Sequence, residues 1–79
     1  MAKRALTLTF VGELIKRPIM YLAARKYGLI LNIRRAKITE KLGEATIELE
    51  GDEADIAKAV REMEAEGVKI QSIPGDSVI

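Results

Sequence analysis

The sequence contains no cysteine and no histidine. The first absence excludes a disulfide framework and thiolate ligation of zinc or of an iron–sulfur cluster. The second removes the side chain most used for acid–base work near neutral pH. Charge of one sign is also lacking in excess: 13 basic and 12 acidic residues leave a net charge of +1, so no global field draws the chain to nucleic acid or to an anionic membrane. No apolar run is long enough to span a bilayer, and Met1-Ala2-Lys3-Arg4 leads into a strand pattern rather than the apolar centre of a signal peptide. These absences lead us to expect a cytoplasmic protein that does not insert into membranes.

What is present suits a small globular domain. Apolar residues make up 48% of the chain and charged residues 32%, well away from the composition of disordered segments. The 79 residues read as one domain, residues 1–79, with an ordered core over about 4–73 and a tail over 74–79. A chain this short buries only about 60% of the surface it exposes when unfolded, so association with a second copy adds useful stability and a homodimer is expected.

Leu6, Leu8 and Phe10 alternate with Thr7, Thr9 and Val11, a period of two that marks a half-buried strand ending at Gly12. After a polar connection, Pro18 is placed as a first helical residue, and Ile19, Leu22, Ala23 and Lys26 recur at helical spacing until Gly28 stops the helix. Residues 29–39 are rich in aliphatic side chains and form a second strand, and a hairpin follows near Gly43. Ala45, Ile47 and Leu49 alternate with Thr46, Glu48 and Glu50 in a third strand. Asp52 is a helix N-cap with Asp55 three residues on; Ile56, Ala59, Val60 and Met63 form the buried stripe, and Gly67 ends the helix. Val68 and Ile70 open a fourth strand, and Pro74-Gly75-Asp76-Ser77 reads as a turn or frayed tail.

The order is β-α-β-β-α-β. Right-handed crossovers then give an α+β, ferredoxin-like sandwich: a four-stranded antiparallel sheet with the third strand between the first and second, and both helices on one face. Thr7, Thr9, Thr46, Glu48 and Glu50 would occupy the other, wet face.

This architecture hosts many activities, so each must be tested on residues. Base stacking by an RNA-recognition sheet needs aromatics where the third strand carries Thr46, Glu48 and Glu50. No nucleic-acid partner is expected. Metal carriage lacks its cysteine pair, and Glu48 with Glu50 supplies too few ligands, so no metal or other cofactor is expected. Acylphosphatase-like chemistry could look to Arg17 and Asn32, but the 12–18 loop has one glycine, a carboxylate and a proline and makes a poor phosphate cradle. The chain is therefore read as a non-enzyme. Arg34, Arg35 and Lys37 form the one basic cluster of note, either guarding an edge strand against aggregation or docking carboxylates of a partner. Asn32 interrupts the aliphatic run between Leu31 and Ile33. Its amide can serve a bulge or backbone group, or hold a zwitterionic ligand. Tyr21 and Tyr27 read as half-buried packing residues, and Met20 and Met63 as core.

Leu8-Thr9-Phe10-Val11-Gly12, Asn32-Ile33 following Gly28, and Leu49-Glu50-Gly51 together resemble the NIL domain over nearly the whole chain, with Pro18, Ala36, Ile38 and Gly67-Val68 in support. That family is ferredoxin-like and similar to amino-acid-sensing ACT domains. It occurs in ATPase subunits of methionine-importing transporters, fused to ferredoxin modules, and as short chains. The resemblance implies a regulatory domain that binds methionine or a related amino acid between two copies, with Asn32, Ile33 and Arg34 as ligand-binding positions. Arg34 departs from the leucine of the family name. The 79 residues contain no Walker motif for ATP hydrolysis and no cysteine for a cluster. A competing reading is an interaction module for a ferredoxin-type or transporter-related protein, contacted through Arg34, Arg35 and Lys37 on the edge of the second strand.

Overall fold

The structure is a computed structural model, and residues 1–73 are described here; the expected tail at 74–79 lies outside the described residues. The chain runs β1 (Ala2–Val11), a 3-10 turn (Gly12–Lys16), α1 (Ile19–Lys26), β2 (Ile30–Ile38), β3 (Leu42–Gly51), α2 (Glu53–Ala65) and β4 (Lys69–Ser72). The strands form one antiparallel sheet in the order β2-β3-β1-β4, the ferredoxin-like arrangement expected from the order of elements.

The alternation of the first and third strands sets the core. Register pairs Leu6 with Ile47, Leu8 with Ala45 and Arg4 with Leu49, so the apolar residues of both strands share one face. Leu6, Leu8, Ile47 and Leu49 are fully buried there beneath Ile56, Ala59 and Met63 of α2 and Ile19, Ala23 and Ala24 of α1. At roughly 25 cal/mol per Å² of apolar surface removed from water, this shared layer is the main stabilising term in the fold. The polar face holds Thr7, Thr9, Thr46, Glu48 and Glu50, which are half-buried rather than fully wet because neighbouring side chains on the pleat shield one another.

Local signals fix most boundaries. The Asp52 carboxylate accepts from the Ala54 N–H at 2.8 Å and caps α2, satisfying one of the donors a helix start leaves unpaired. Gly28 ends α1 at φ +66, a left-handed conformation that a side chain disfavours. Pro18 sits one residue earlier than expected: it precedes the helix, and its carbonyl accepts the first helical bond from Leu22 at 3.0 Å. The connection before it is a 3-10 turn instead of an irregular loop, and it tucks Leu14 and Ile15 against the core.

The helix α1 departs from the sequence reading in its exposed surface. Its buried residues are Ile19, Ala23 and Ala24, while Leu22 and Tyr21 are exposed. Helical spacing groups residues on a face, but the extent of the opposing surface decides which of them are covered. Two ion pairs cross the outer surface: Lys26 of α1 meets Glu62 of α2 at 2.6 Å, and Arg17, just before α1, meets Glu66, just after α2.

Candidate functional site

The short helix leaves part of β2 uncovered. α1 has eight residues, a length of about 12 Å at 1.5 Å per residue. The nine residues of β2 extend roughly 30 Å at 3.3 Å each. Beyond the helix the apolar face of β2 stays open, and Ile33 and Ile38 are exposed although they point to the same side as the buried Ile47. The opening is a groove of about 140 Å³ between the 3-10 turn, the start of α1 and β2. Phe10 and Leu14 line its floor side, Pro18 and Tyr21 the helix side, and Leu31, Ile33 and Ile38 the strand side; Arg17 stands at the rim, held by Glu66.

Strand β2 is irregular at its middle. Ile33 pairs with Ile47 but the next paired residue is Arg35, opposite Thr46, so Arg34 is the extra residue of a β-bulge. The bulge lies two residues after Asn32, which is regularly paired with Glu48. Apolar residues are at odd positions before the bulge (Leu31, Ile33) and even positions after it (Ala36, Ile38), and the inserted residue keeps all four on the helix side. That switch of parity was readable in the sequence and would have located the bulge.

The backbone of the exposed edge follows from alternation. The Ile73 N–H donates to the Ala5 carbonyl at 3.2 Å, so Ala5 turns its backbone groups to β4. In antiparallel pairing Leu6 then turns to β3, Ile47 to β1, and Thr46 and Glu48 to β2. Asn32, opposite Glu48, spends its backbone groups on β3, so Leu31 and Ile33 direct theirs outward. At the other end the Thr39 N–H donates to the Leu42 carbonyl at 2.7 Å, which turns Lys37 inward and Ala36 and Ile38 outward by the same rule. The residues whose side chains approach the groove side thus also present backbone N–H and C=O groups along the edge.

The predicted site residues divide between two faces. Asn32 and Arg34 lie on the open polar face, where Arg34 is 3.6 Å from Glu48. Ile33 lies on the other face, in the groove wall. Arg35 and Lys37 are exposed on the open face beside Thr46 and Glu44. Arg17 and Asn32, weighed for acylphosphatase-like chemistry, fall on opposite faces and do not converge. Tyr21, read as a half-buried packing residue, instead stands exposed at the groove wall. Sequence reasoning missed Phe10, Leu14, Pro18 and Tyr21 as groove residues, because nothing in their local spacing gives the length of the helix beside them.

The electrostatics of the described residues are plain. No polar or charged side chain is buried among them, and no cluster of three or more acidic side chains is placed to hold a metal. Lys26 has its pKa raised above the usual 10.5 by the hydrogen bond from its ammonium to Glu62, reinforced by the charge of that carboxylate. Among the described residues no helix is long and apolar enough to cross a membrane.

Comparison with known proteins bears on this geometry. Residues 4–72 match the family model of the NIL domain. The chain belongs to the NIL domain family. It is 29% identical over 75 residues to the methionine import ATP-binding protein MetN 1 of Bacillus licheniformis, covering 90% of this chain and 22% of that protein. It is 35% identical over 68 residues to the methionine import ATP-binding protein MetN of Cupriavidus necator, covering 81% of this chain and 20% of that protein. The chain therefore spans about a fifth of the length of these curated relatives. Among solved structures, the C-terminal domain of an ABC transporter ATP-binding protein from Enterococcus faecalis superposes with a TM-score of 0.79 at 25% identity, over 92% of this NIL domain and 86% of that chain. The two curated relatives are thus methionine import ATP-binding proteins, and the solved neighbour is the C-terminal domain of a transporter ATP-binding protein.

Proposed function

We propose that this NIL domain is a small-ligand sensor, with methionine or a related amino acid bound at the β2 edge and closed over by a second copy of the chain. The observation that carries this reading is the apolar groove of about 140 Å³ running beside outward-facing backbone groups of Leu31 and Ile33. By the same measure a single water needs about 10–15 Å³, so the groove has room for an unbranched apolar side chain. An amino acid also carries an ammonium and a carboxylate. The C=O and N–H groups of Ile33 can meet these ends, with the Asn32 carboxamide nearby at the edge offering both donors and an acceptor.

The relatives are methionine import ATP-binding proteins, and this supports a thioether as the side chain. The ligand acts by mass action: it favours the state that binds it, here the closed pair of domains. Such a domain regulates a protein in the cytoplasm with which it associates, and a transporter ATPase or ferredoxin-type protein are the partners this reading favours.

The test is a melting-temperature titration with L-methionine, with glycine as the control lacking a side chain. At a hundredfold excess over Kd the gain is about 2.7 kcal/mol, a rise of roughly 10–20 °C for a domain this small. Asn32→Ala and Ile33→Asp should each reduce the rise. Absence of any shift with methionine and the other apolar amino acids at millimolar concentration would reject the reading.

A further inference from the structure

The edge of β2 has two properties that a free amino acid does not use together. Its outward backbone groups extend past the groove, through Leu31, Ile33, Ala36 and Ile38, and its side chains sort by face, apolar on the helix side and basic on the open side. The inner edge of the same strand shows what such a pattern accepts. There β3 sets Ile47 beside Ile33 and Ala45 beside Ala36 on the apolar face, and Glu48 beside Asn32 and Glu44 beside Lys37 on the polar face. β3 alternates apolar with acidic or hydroxyl side chains, and β2 is complementary to that alternation on both of its edges.

We propose that the outer edge of β2 takes an extended segment of a partner protein, alternating apolar and acidic residues, as a fifth strand of the sheet. The segment bonds to the backbone of Leu31, Ile33, Ala36 and Ile38. Its apolar side chains lie over Ile33 and Ile38 and enter the groove, and its carboxylates face Arg35 and Lys37. Charge selects this occupant. Opposing the Arg35–Lys37 stretch with the same stretch of a second copy sets like charges against each other, which destabilises a strand pair. The bulge and cations deter self-association in this stretch without deterring an acidic strand. The inference takes no premise from methionine binding, although the two occupants share the groove.

The probe is a synthetic peptide with the sequence of residues 44–51, blocked at both ends and fluorescently labelled, together with a scrambled peptide of the same composition. The full chain should bind the first at least tenfold more tightly than the second in an anisotropy titration. Hydrogen exchange should slow at the amides of Leu31, Ile33, Ala36 and Ile38 and not at those of Asn32 and Lys37, which β3 already engages. Reversing both cations, Arg35→Glu with Lys37→Glu, should weaken binding about tenfold or more, and a peptide carrying lysine in place of its glutamates should recover it. Ala36→Pro removes an outward N–H that β3 does not use, and an edge strand tolerates proline. This variant should keep the far-ultraviolet spectrum and any methionine response while losing the peptide. Equal binding of both peptides, protection confined to inner amides, or undiminished binding by Ala36→Pro would overturn the proposal. So would outer amides that become protected with rising chain concentration and stay indifferent to peptide, since the edge would then belong to a second copy. Peptide binding without a methionine shift would instead reject the sensor reading alone.

Discussion

Ile33 and Ile47 are the same residue type, directly opposite one another on adjacent strands and on one face of the sheet, yet Ile47 is 0% exposed and Ile33 54%. Replacing each by alanine separates burial from every other variable. The change removes about three methylene-sized groups worth ~0.8 kcal/mol each when fully buried. At Ile47 that is about 2.4 kcal/mol of transfer energy, and the enclosed cavity left behind raises the loss to roughly 3–4 kcal/mol. At Ile33 half of the side chain is already in water and the groove is open. About 1.2 kcal/mol is therefore lost and no cavity forms. For a domain of this size each kcal/mol lowers Tm by about 4–8 °C, so Ile33→Ala should melt about 5–10 °C below the parent. Ile47→Ala should fall by more than about 12 °C, close to the whole margin of a small domain. Thermal and urea unfolding followed by circular dichroism at micromolar concentration are the assays. Equal losses at the two positions would refute the reasoning, because Ile33 would then be covered in solution and the groove would not be an open site.

Arg34 can be deleted without changing which face any neighbour occupies. Ile33, Arg35, Ala36, Lys37 and Ile38 then alternate without interruption, so the deletion variant should fold with the same sheet and lose about 1 kcal/mol, the order of a partly exposed ion pair such as that with Glu48. A heteronuclear spectrum with displaced signals for most of β3 would contradict this. The raised pKa of Lys26 gives a pH dependence of definite sign. Its folded value lies above the unfolded 10.5, so the stabilisation is fully present below about pH 10 and is lost as pH rises through the folded value. Titration of the Lys26 side chain by NMR should show the elevated midpoint returning toward 10.5 in Glu62→Gln. An unchanged midpoint would remove Glu62 as its cause.

The sheet was legible because its two central strands carry undisturbed alternation. Leu6, Leu8 and Phe10, with Ala45, Ile47 and Leu49, define one apolar layer, and Gly28 and Asp52 punctuate the helices by local conformational and hydrogen-bonding preferences. The site was less legible for a reason of scale. Leu22 has the spacing of a buried residue and is exposed; Tyr21 reads as packing and lines a groove. Both outcomes depend on the mismatch between a helix of eight residues and a strand of nine, a comparison between elements that no local pattern contains. Asn32 and Ile33 stood out in the sequence as a pair, but consecutive strand residues point to opposite faces. One ligand can touch both side chains only by reaching around the strand edge.

That geometry explains why both proposed occupants use the edge more than either face. In a regular strand the residues with outward backbone groups all send their side chains to one face, since both alternate with period two. A bulge ordinarily breaks this correspondence, and here the apolar residues change parity at the same point, so it is kept across Arg34. The result is a line of outward backbone donors and acceptors at Leu31, Ile33, Ala36 and Ile38, wider spaced across the bulge, with apolar side chains on one side and cations on the other. A free amino acid can engage two neighbouring residues of that line, while an extended segment can engage all four, each bond adding a net ~0.5–1.5 kcal/mol. Ala36 distinguishes the two, because its side chain is outside the groove and its N–H serves only an occupant long enough to pass Arg34.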